Sequence, residues 1–240
     1  MAPGAIGSTG ADPSNLWGNA RGGSAMPTEL QFLTGPEAVL ARSGEVHLRR
    51  VSHSYRTTRG ELLPVLADVS LDVHTGELVA VVGPSGCGKS TLLELVCRLQ
   101  APDAGTLRCA PAVLMPQRDL LMPWLSALDN AALALRISGS DRAHARSVAG
   151  ELFTQLGLEG FAEARPFELS GGMRQRVAFM RTLLAGKPVL CLDEPFAALD
   201  AITRGEMQDW LAGMLARERR TVVLVTHDVE EAALLADLSL

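Results

Sequence analysis

The 240-residue sequence is poor in lysine, with Lys89 and Lys187 the only two among 22 basic residues, and poor in aromatics, which make up 4% and include a single tyrosine, Tyr55. It has no apolar run near the ~18 residues that a membrane-spanning helix needs, the longest clean stretches being Leu78 to Val82 and Thr221 to Val225. The chain is therefore not expected to cross a bilayer by itself. It also lacks positive charge: a net charge of −5 removes the broad basic surface on which nucleic acid would dock, so no nucleic acid partner is expected. The four cysteines, Cys87, Cys97, Cys109 and Cys191, form no C-x-x-C pair. They read as reduced thiols of a cytosolic protein, each serving as a small apolar residue. No basic start followed by an apolar block opens the chain, which argues against a signal peptide. Residues 1–43, rich in Gly, Ala, Pro and Ser, read as a disordered N-terminal extension.

What remains is 47% hydrophobic and 20% charged, enough for a large core. Val46 to Val51 and Val69 to Val73 alternate as short antiparallel strands around a turn-rich patch at Thr57 to Gly60. Beyond them, apolar strands at Leu78 to Val82, Ala112 to Gln117, Val189 to Leu192 and Thr221 to Val225 interleave with helical stretches near 92–95, 171–185 and 203–217. Residues 118–168 change character and read as a compact helical insert, broken at Gly157 and Gly160. Strands alternating with helices predict an α/β fold with a mainly parallel central sheet, whose ligands gather at the carboxyl ends of the strands.

One such end carries Gly83-Pro84-Ser85-Gly86-Cys87-Gly88-Lys89-Ser90-Thr91, between an apolar strand and a helical stretch. The pattern G-x-x-x-x-G-K-[ST] lets backbone N–H groups and a helix N-terminus surround phosphate oxygens, which predicts a nucleoside triphosphate site. Lys89 would reach the β- and γ-phosphates and the Ser90 hydroxyl would ligate Mg²⁺. A second strand, Val189 to Leu192, ends in Asp193-Glu194. Two carboxylates there fit two tasks: Asp193 for the Mg²⁺ water shell, and Glu194 for the water that attacks the γ-phosphate. Leu169-Ser170-Gly171-Gly172-Met173-Arg174-Gln175 offers another serine- and glycine-led helix start, which by itself reads better as a capped amphipathic helix than as an anion site.

In this order the motifs resemble the nucleotide-binding subunit of ATP-binding cassette transporters, over about residues 45–237. Gly83 to Ser90 matches the Walker A loop, Gln117 the Q-loop, Leu169 to Gln175 the signature motif and Leu190 to Asp193 with Glu194 the Walker B strand and catalytic glutamate. Ala198-Leu199-Asp200 matches the D-loop and His227 the switch histidine. The resemblance implies a P-loop NTPase with an N-terminal antiparallel β subdomain and a helical signature subdomain, the ATPase domain running over 44–240. It implies ATP and Mg²⁺ as ligands, with Glu194, His227 and Gln117 catalytic, and Ser90, Gln117 and Asp193 around the metal. It further implies a head-to-tail homodimer in which Ser170, Gly171, Gly172, Gln175 and Asp200 of one copy face the nucleotide held by Lys89 of the other. Tyr55 falls where an adenine-stacking aromatic would lie; the alternative is a plain strand aromatic.

The ~50 residues between Gln117 and Ser170 leave no room for the long coiled-coil insertion of DNA-repair relatives. Leu120-Leu121-Met122-Pro123-Trp124-Leu125 lies where such subunits receive a helix of an integral membrane permease; interior packing of the insert is the alternative. The wording around Met122 to Asn130 and Asp193 to Asp200 is similar to importers of the nitrate, sulfonate and taurine group, some relatives of which carry pyrimidine precursors of thiamine. The implied setting is peripheral, on the cytoplasmic face of the inner membrane, with a solute-binding protein as an indirect partner. A soluble, non-transport cassette ATPase and a partner-binding remnant are the rival readings. The family continues with further strands after the switch-histidine helix, whereas this sequence stops at Asp237-Leu238-Ser239-Leu240, so a bare sheet edge and lowered stability are expected.

Overall fold

The computed structural model describes residues 44–218 and 220–236, together with the backbone of Leu238 and Ser239; the extension expected over 1–43 lies outside the described residues. The chain opens with a hairpin of β1 (Val46–Arg56) and β2 (Leu62–Val73), then forms β3 (Leu78–Val82), α1 (Lys89–Val96), β4 (Ala104–Cys109) and β5 (Ala112–Met115). Residues 118–168 hold α2 (Ala127–Ala131), α3 (Leu133–Ile137), α4 (Arg142–Gln155) and two 3₁₀ turns. There follow α5 (Gly171–Leu183), β6 (Val189–Asp193), α6 (Ala201–Arg217), β7 (Thr221–Thr226), α7 (Val229–Leu235) and β8 (Leu238–Ser239).

Among the described residues two sheets form: an antiparallel one in the order β2-β1-β4, and a parallel one in the order β5-β6-β7-β3-β8. Every residue of β6 and β7 is buried. Both faces of such strands are covered, which is why they read as unbroken apolar runs. Five helix starts are fixed by side-chain caps, Ser126, Asp141, Ser170, Asp200 and Asp228 each accepting from a first-turn N–H. Helix α1 is wedged between the sheets: Leu92, Leu93, Leu95 and Val96 share one core with Val51, Leu66 and Leu71 on one side and Val79, Cys191 and Val223 on the other. The four cysteines are free, and burial pushes the Cys109 thiol up to about 12, so it stays protonated and unreactive. The edge of β3 expected to be bare carries Leu238–Ser239 in parallel register with Val79 and Ala80.

The hairpin strands run well beyond the stretches that alternate in the sequence, and a bulge explains why. In β1, Val46 and Leu48 face the core, Arg49 and Arg50 are both exposed, and then Val51 and His53 face inward. Arg50 sits at φ +48 and its N–H donates to Ser70 Oγ at 2.9 Å. The pairing shifts by one residue between Leu48 and Val51 on β2 and between Arg49 and Ser52 on β4. One extra residue reverses the inward phase. Tyr55 consequently faces α1; on a regular strand it would face away. A second left-handed residue, Asp68 at φ +55, returns the register at His53–Leu66, before a further shift between His53 and Ser54.

Across the bulge stands Gly105, at φ +87, where an added Cβ would lie 2.3 Å from Arg50 O and 2.6 Å from Arg49 O. Gly105→Ala is expected to lower the unfolding free energy by about 1–3 kcal/mol from backbone strain alone, before the clash is counted. Gly213→Ala, on the open side of α6 with nothing within 4 Å, is expected to raise it by about 0.5–1 kcal/mol. Chemical denaturation of the two variants checks both signs.

Candidate functional site

The glycine loop leaves the end of β3 and enters α1 through Gly88, at φ +100. A Cβ on Gly88 would lie 2.9 Å from both Val65 O and Leu66 Cδ2, so the absent side chain lets the loop press against β2. Lys89 curls over its own loop, Nζ donating to Gly83 O at 2.7 Å and Pro84 O at 2.8 Å, with Cys87 Sγ at 3.9 Å. These carbonyls occupy donors that phosphate oxygens would take. Beside the loop is a pocket of about 300 Å³, to which Tyr55, Lys89, Ser90, Gln117, Asp193 and Glu194 contribute.

The parallel register delivers the remaining groups. Val82 pairs with Thr226 and Asp193 with Val225, so Gly83, Glu194 and His227 leave neighbouring strands together. Met115 pairs with Leu192, which places Gln117 beside the same exit. Glu194 takes φ +48, a left-handed conformation that costs a non-glycine residue about 1–3 kcal/mol. Its N–H donates to Val225 O at 2.8 Å, and Gln175 Nε2 donates to its carbonyl at 3.4 Å. The carboxylate is bracketed: Gln117 Nε2 donates to Oε2 at 2.9 Å, and His227 Nδ1 lies 3.2 Å from Oε1. Asp193 is 7% exposed. Burial pushes its carboxyl above the ordinary range, the Ser90 hydroxyl opposes that shift, and the charge of Glu194 adds to it.

Behind His227 lies a support that the sequence reading did not identify. The Thr226 hydroxyl contacts the buried Glu231 carboxyl and accepts from Asp228 N at 3.0 Å, while Asp228 Oδ1 caps α7 at Glu230 N, 2.9 Å, and Glu231 N, 3.2 Å. Burial raises the Glu231 carboxyl. Asp228-x-x-Glu231 has the spacing of a capping box, the one local signal available, although Glu231 turns to Thr226 instead of the cap.

The signature residues are elsewhere. Ser170 caps α5 by accepting from Met173 N at 3.2 Å, and Gly171 and Gly172 form the first turn. None of these three, nor Asp200, which caps α6, is among the residues lining the 300 Å³ pocket of its own chain. Gln175 is buried and reaches the site only from behind, through the Glu194 carbonyl. Arg174 and Arg181 of α5 hold Asp119 and the Leu120 carbonyl, directly after Gln117. In the expected docking stretch Leu121 is buried, whereas Leu120 and Trp124 are 57% and 69% exposed.

For a divalent cation the donor set is sparse and hard: the Asp193 carboxylate, the Ser90 hydroxyl and the Gln117 amide oxygen. Among the described residues no three His, Cys, Asp or Glu side chains cluster as for an all-protein metal cage. Mg²⁺ fits such a set, because it accepts one or two protein oxygens and keeps water and phosphate for the rest.

Comparison with known proteins agrees with this geometry. The family model described as ABC transporter matches residues 66–197. The chain is 48% identical over 177 residues to the formylaminopyrimidine import ATP-binding protein ThiZ of Halalkalibacterium halodurans, covering 72% of this chain and 71% of that protein. It is 47% identical over 194 residues to the aliphatic sulfonates import ATP-binding protein SsuB 1 of Rhodococcus jostii, covering 78% and 74%. To the taurine import ATP-binding protein TauB of Chromobacterium violaceum it is 45% identical over 186 residues, covering 74% and 71%. Among solved structures, the dimeric ATP-binding cassette MJ0796 in a post-hydrolysis state bound to ADP and Pi superposes with a TM-score of 0.74 at 31% identity, over 81% of this chain and 94% of that one.

The raised Asp193 carboxyl has a thermodynamic consequence. A folded-state value above the ordinary 3.8 means that ionisation at neutral pH works against the nucleotide-free fold. Asp193→Asn is therefore expected to melt higher than the unaltered protein at pH 7 without nucleotide. The gap should close as pH falls below about 3.8, where the carboxyl is protonated in both states. Thermal melts across that range check the sign.

Proposed function

This chain belongs to the ABC transporter family, in which it is an ATP-hydrolysing subunit of the importer type, and from that premise we propose how its own residues divide the work. The convergence of Gln117, Asp193 and Glu194 on the pocket beside Lys89, with His227 outside that lining but 3.2 Å from the Glu194 carboxylate, carries the reading. Lys89 exchanges the Gly83 and Pro84 carbonyls for β- and γ-phosphate oxygens, and the backbone N–H groups of Ser85 to Thr91 cradle the same phosphates. Ser90, Asp193 and Gln117 would hold Mg²⁺, which when bound would neutralise charge on the phosphates. Glu194 takes a proton from the water that attacks the γ-phosphate, so that the P–O bond to ADP breaks as the new P–O bond forms. His227 contacts the γ-phosphate through the imidazole nitrogen not turned to Glu194, and Tyr55 carries the adenine on its ring face.

The second half of each site comes from another copy. Ser170, Gly171, Gly172 and Asp200 stand apart from their own pocket, which favours a head-to-tail homodimer in which they close on the partner's γ-phosphate, with Gln175 bracing Glu194 from inside. A shared γ-phosphate makes binding close the dimer and hydrolysis reopen it. The closure drives an integral membrane permease docked at Leu120 and Trp124, with the chain peripheral on the cytoplasmic face and a solute-binding protein acting only through that permease. Among the described residues no helix is long and apolar enough to cross a membrane, which accords with an anchor supplied by a partner. The solute is of the nitrate, sulfonate and taurine type, in keeping with the TauB and SsuB relatives. The ThiZ relative favours a second reading, a formylaminopyrimidine-like solute. Turnover in vesicles with the cognate permease, stimulated by taurine or alkylsulfonate in one case and by formylaminopyrimidine in the other, separates the two.

Glu194→Gln is expected to cut ATP turnover by about 10²-fold or more while retaining nucleotide, and to shift from monomer to dimer on size exclusion when Mg-ATP is added. Lys89→Ala should abolish both binding and the shift. A Glu194→Gln protein that holds ATP yet stays monomeric at all concentrations would overturn the shared site.

A further inference from the structure

Tyr55 is the only tyrosine of the chain and lines the nucleotide pocket, and the groups around it form a clamp that the reaction scheme leaves unused. Gln100, in the connection between α1 and β4, donates from Nε2 to Tyr55 Oη at 2.9 Å and to Glu94 Oε2 at 2.6 Å. Its Oε1 accepts from His53 Nε2 at 2.8 Å. The phenol donates to Glu94 Oε2 at 3.3 Å and lies 3.3 Å from Thr91 Oγ1. The His53 ring stands against the Tyr55 ring edge-on, with centroids 5.0 Å apart and planes at 89°.

This arrangement does more than satisfy polar atoms. Both N–H groups of the Gln100 amide and its oxygen are engaged, so the amide has one orientation. The phenol is held at its tip by Gln100, Glu94 and Thr91, and along its flank by His53. A side chain fixed at both places has lost the rotation that stacking on a planar base would otherwise have to remove at the moment of binding. The clamp is also partly dry, with His53 and Thr91 both buried, where polar groups bind one another more strongly than in water. Thr91 and Glu94 sit on α1, the helix whose first turn follows the phosphate loop. The ring is thereby referred to the same helix that holds the triphosphate.

We propose that Gln100 is a positioning residue that locks Tyr55 to α1 and so fixes the distance and tilt between the base platform and the phosphate site. The proposal rests on Tyr55 being the surface on which the base stacks, and the test separates the two. Dissociation constants of the full chain for Mg-ATP and for Mg-tripolyphosphate, which has no base, are measured by calorimetry. Gln100→Leu is expected to weaken ATP about five- to tenfold while tripolyphosphate changes less than twofold. His53→Phe keeps an edge-on ring but removes the Gln100 oxygen's donor, and should weaken ATP alone by about two- to threefold. It also serves if the leucine variant does not fold. Tyr55→Ala should lose the same selectivity, and adding Gln100→Leu to it should change nothing further, as expected for two residues acting through one contact. If Tyr55→Ala weakens ATP selectively but both Gln100→Leu and His53→Phe leave the ratio of the two constants intact, the clamp is overturned and the platform stands. If Gln100→Leu weakens both ligands equally, or adds fully to Tyr55→Ala, the clamp is likewise overturned. If Tyr55→Ala itself leaves the ratio unchanged, the platform falls and the clamp with it.

Discussion

The whole site depends on the hydrogen-bonded register of parallel strands that exit the sheet side by side. With Val82 opposite Thr226, Asp193 opposite Val225 and Met115 opposite Leu192, the residues that follow these strands converge. Gly83 opens the phosphate loop, Glu194 and His227 meet across 3.2 Å, and Gln117 reaches Glu194 from the flanking strand. A slip of one residue in any of these pairs would turn an inward side chain outward and separate groups that now meet. The buried, apolar lengths of β6 and β7 make such a slip costly, because the pairing and the core specify the same alignment.

That rigidity sustains a local excess of unfavourable terms. Glu194 is held in a left-handed conformation, Asp193 is a carboxyl in a dry place next to another carboxylate, and Glu231 is buried behind the switch turn. Each is tolerated because α1 and the central strands supply a core on both sides. Of these, the ionised Asp193 carboxyl is the one that a bound cation would relieve, so cation affinity and the stability of the ligand-free fold would draw on one source. Lys89, only half-buried, meanwhile donates to its own loop carbonyls, Gly83 O and Pro84 O.

The parts of this architecture that could be read from the sequence are those in which chemistry and local structure coincide. The glycine loop, Asp193-Glu194 and His227 each sit where an apolar strand meets a turn, and unbroken apolar runs such as Val189 to Leu192 signal strands covered on both faces. The parts that could not be read are long-range or break periodicity. Arg50 and Asp68 interrupt the alternation of the hairpin, so the sequence pattern stops where the strands only change phase. Gln100 and Tyr55 lie 45 residues apart and no pattern links them. The signature stretch groups Gln175 with the ligand contacts, whereas helical phase turns it inward to the Glu194 carbonyl. Glu231 lies in the first turn of α7, and only the packing of Thr226 and Gln208 makes it a buried support.

The bulge at Arg50 makes the hairpin a matter of parity. Past it, every facing residue is chosen by an odd count, and Asp68 on the opposite strand resets the match. A single-residue deletion at Arg50 would thus act as a simultaneous exchange of Val51, His53 and Tyr55 with their outward neighbours, though none of those codons had changed. Conversely, a designer moving Tyr55 in its present placement into another cassette would have to transplant Arg50, Asp68 and Gly105 as one unit, since the tyrosine alone would arrive on the wrong side of the sheet.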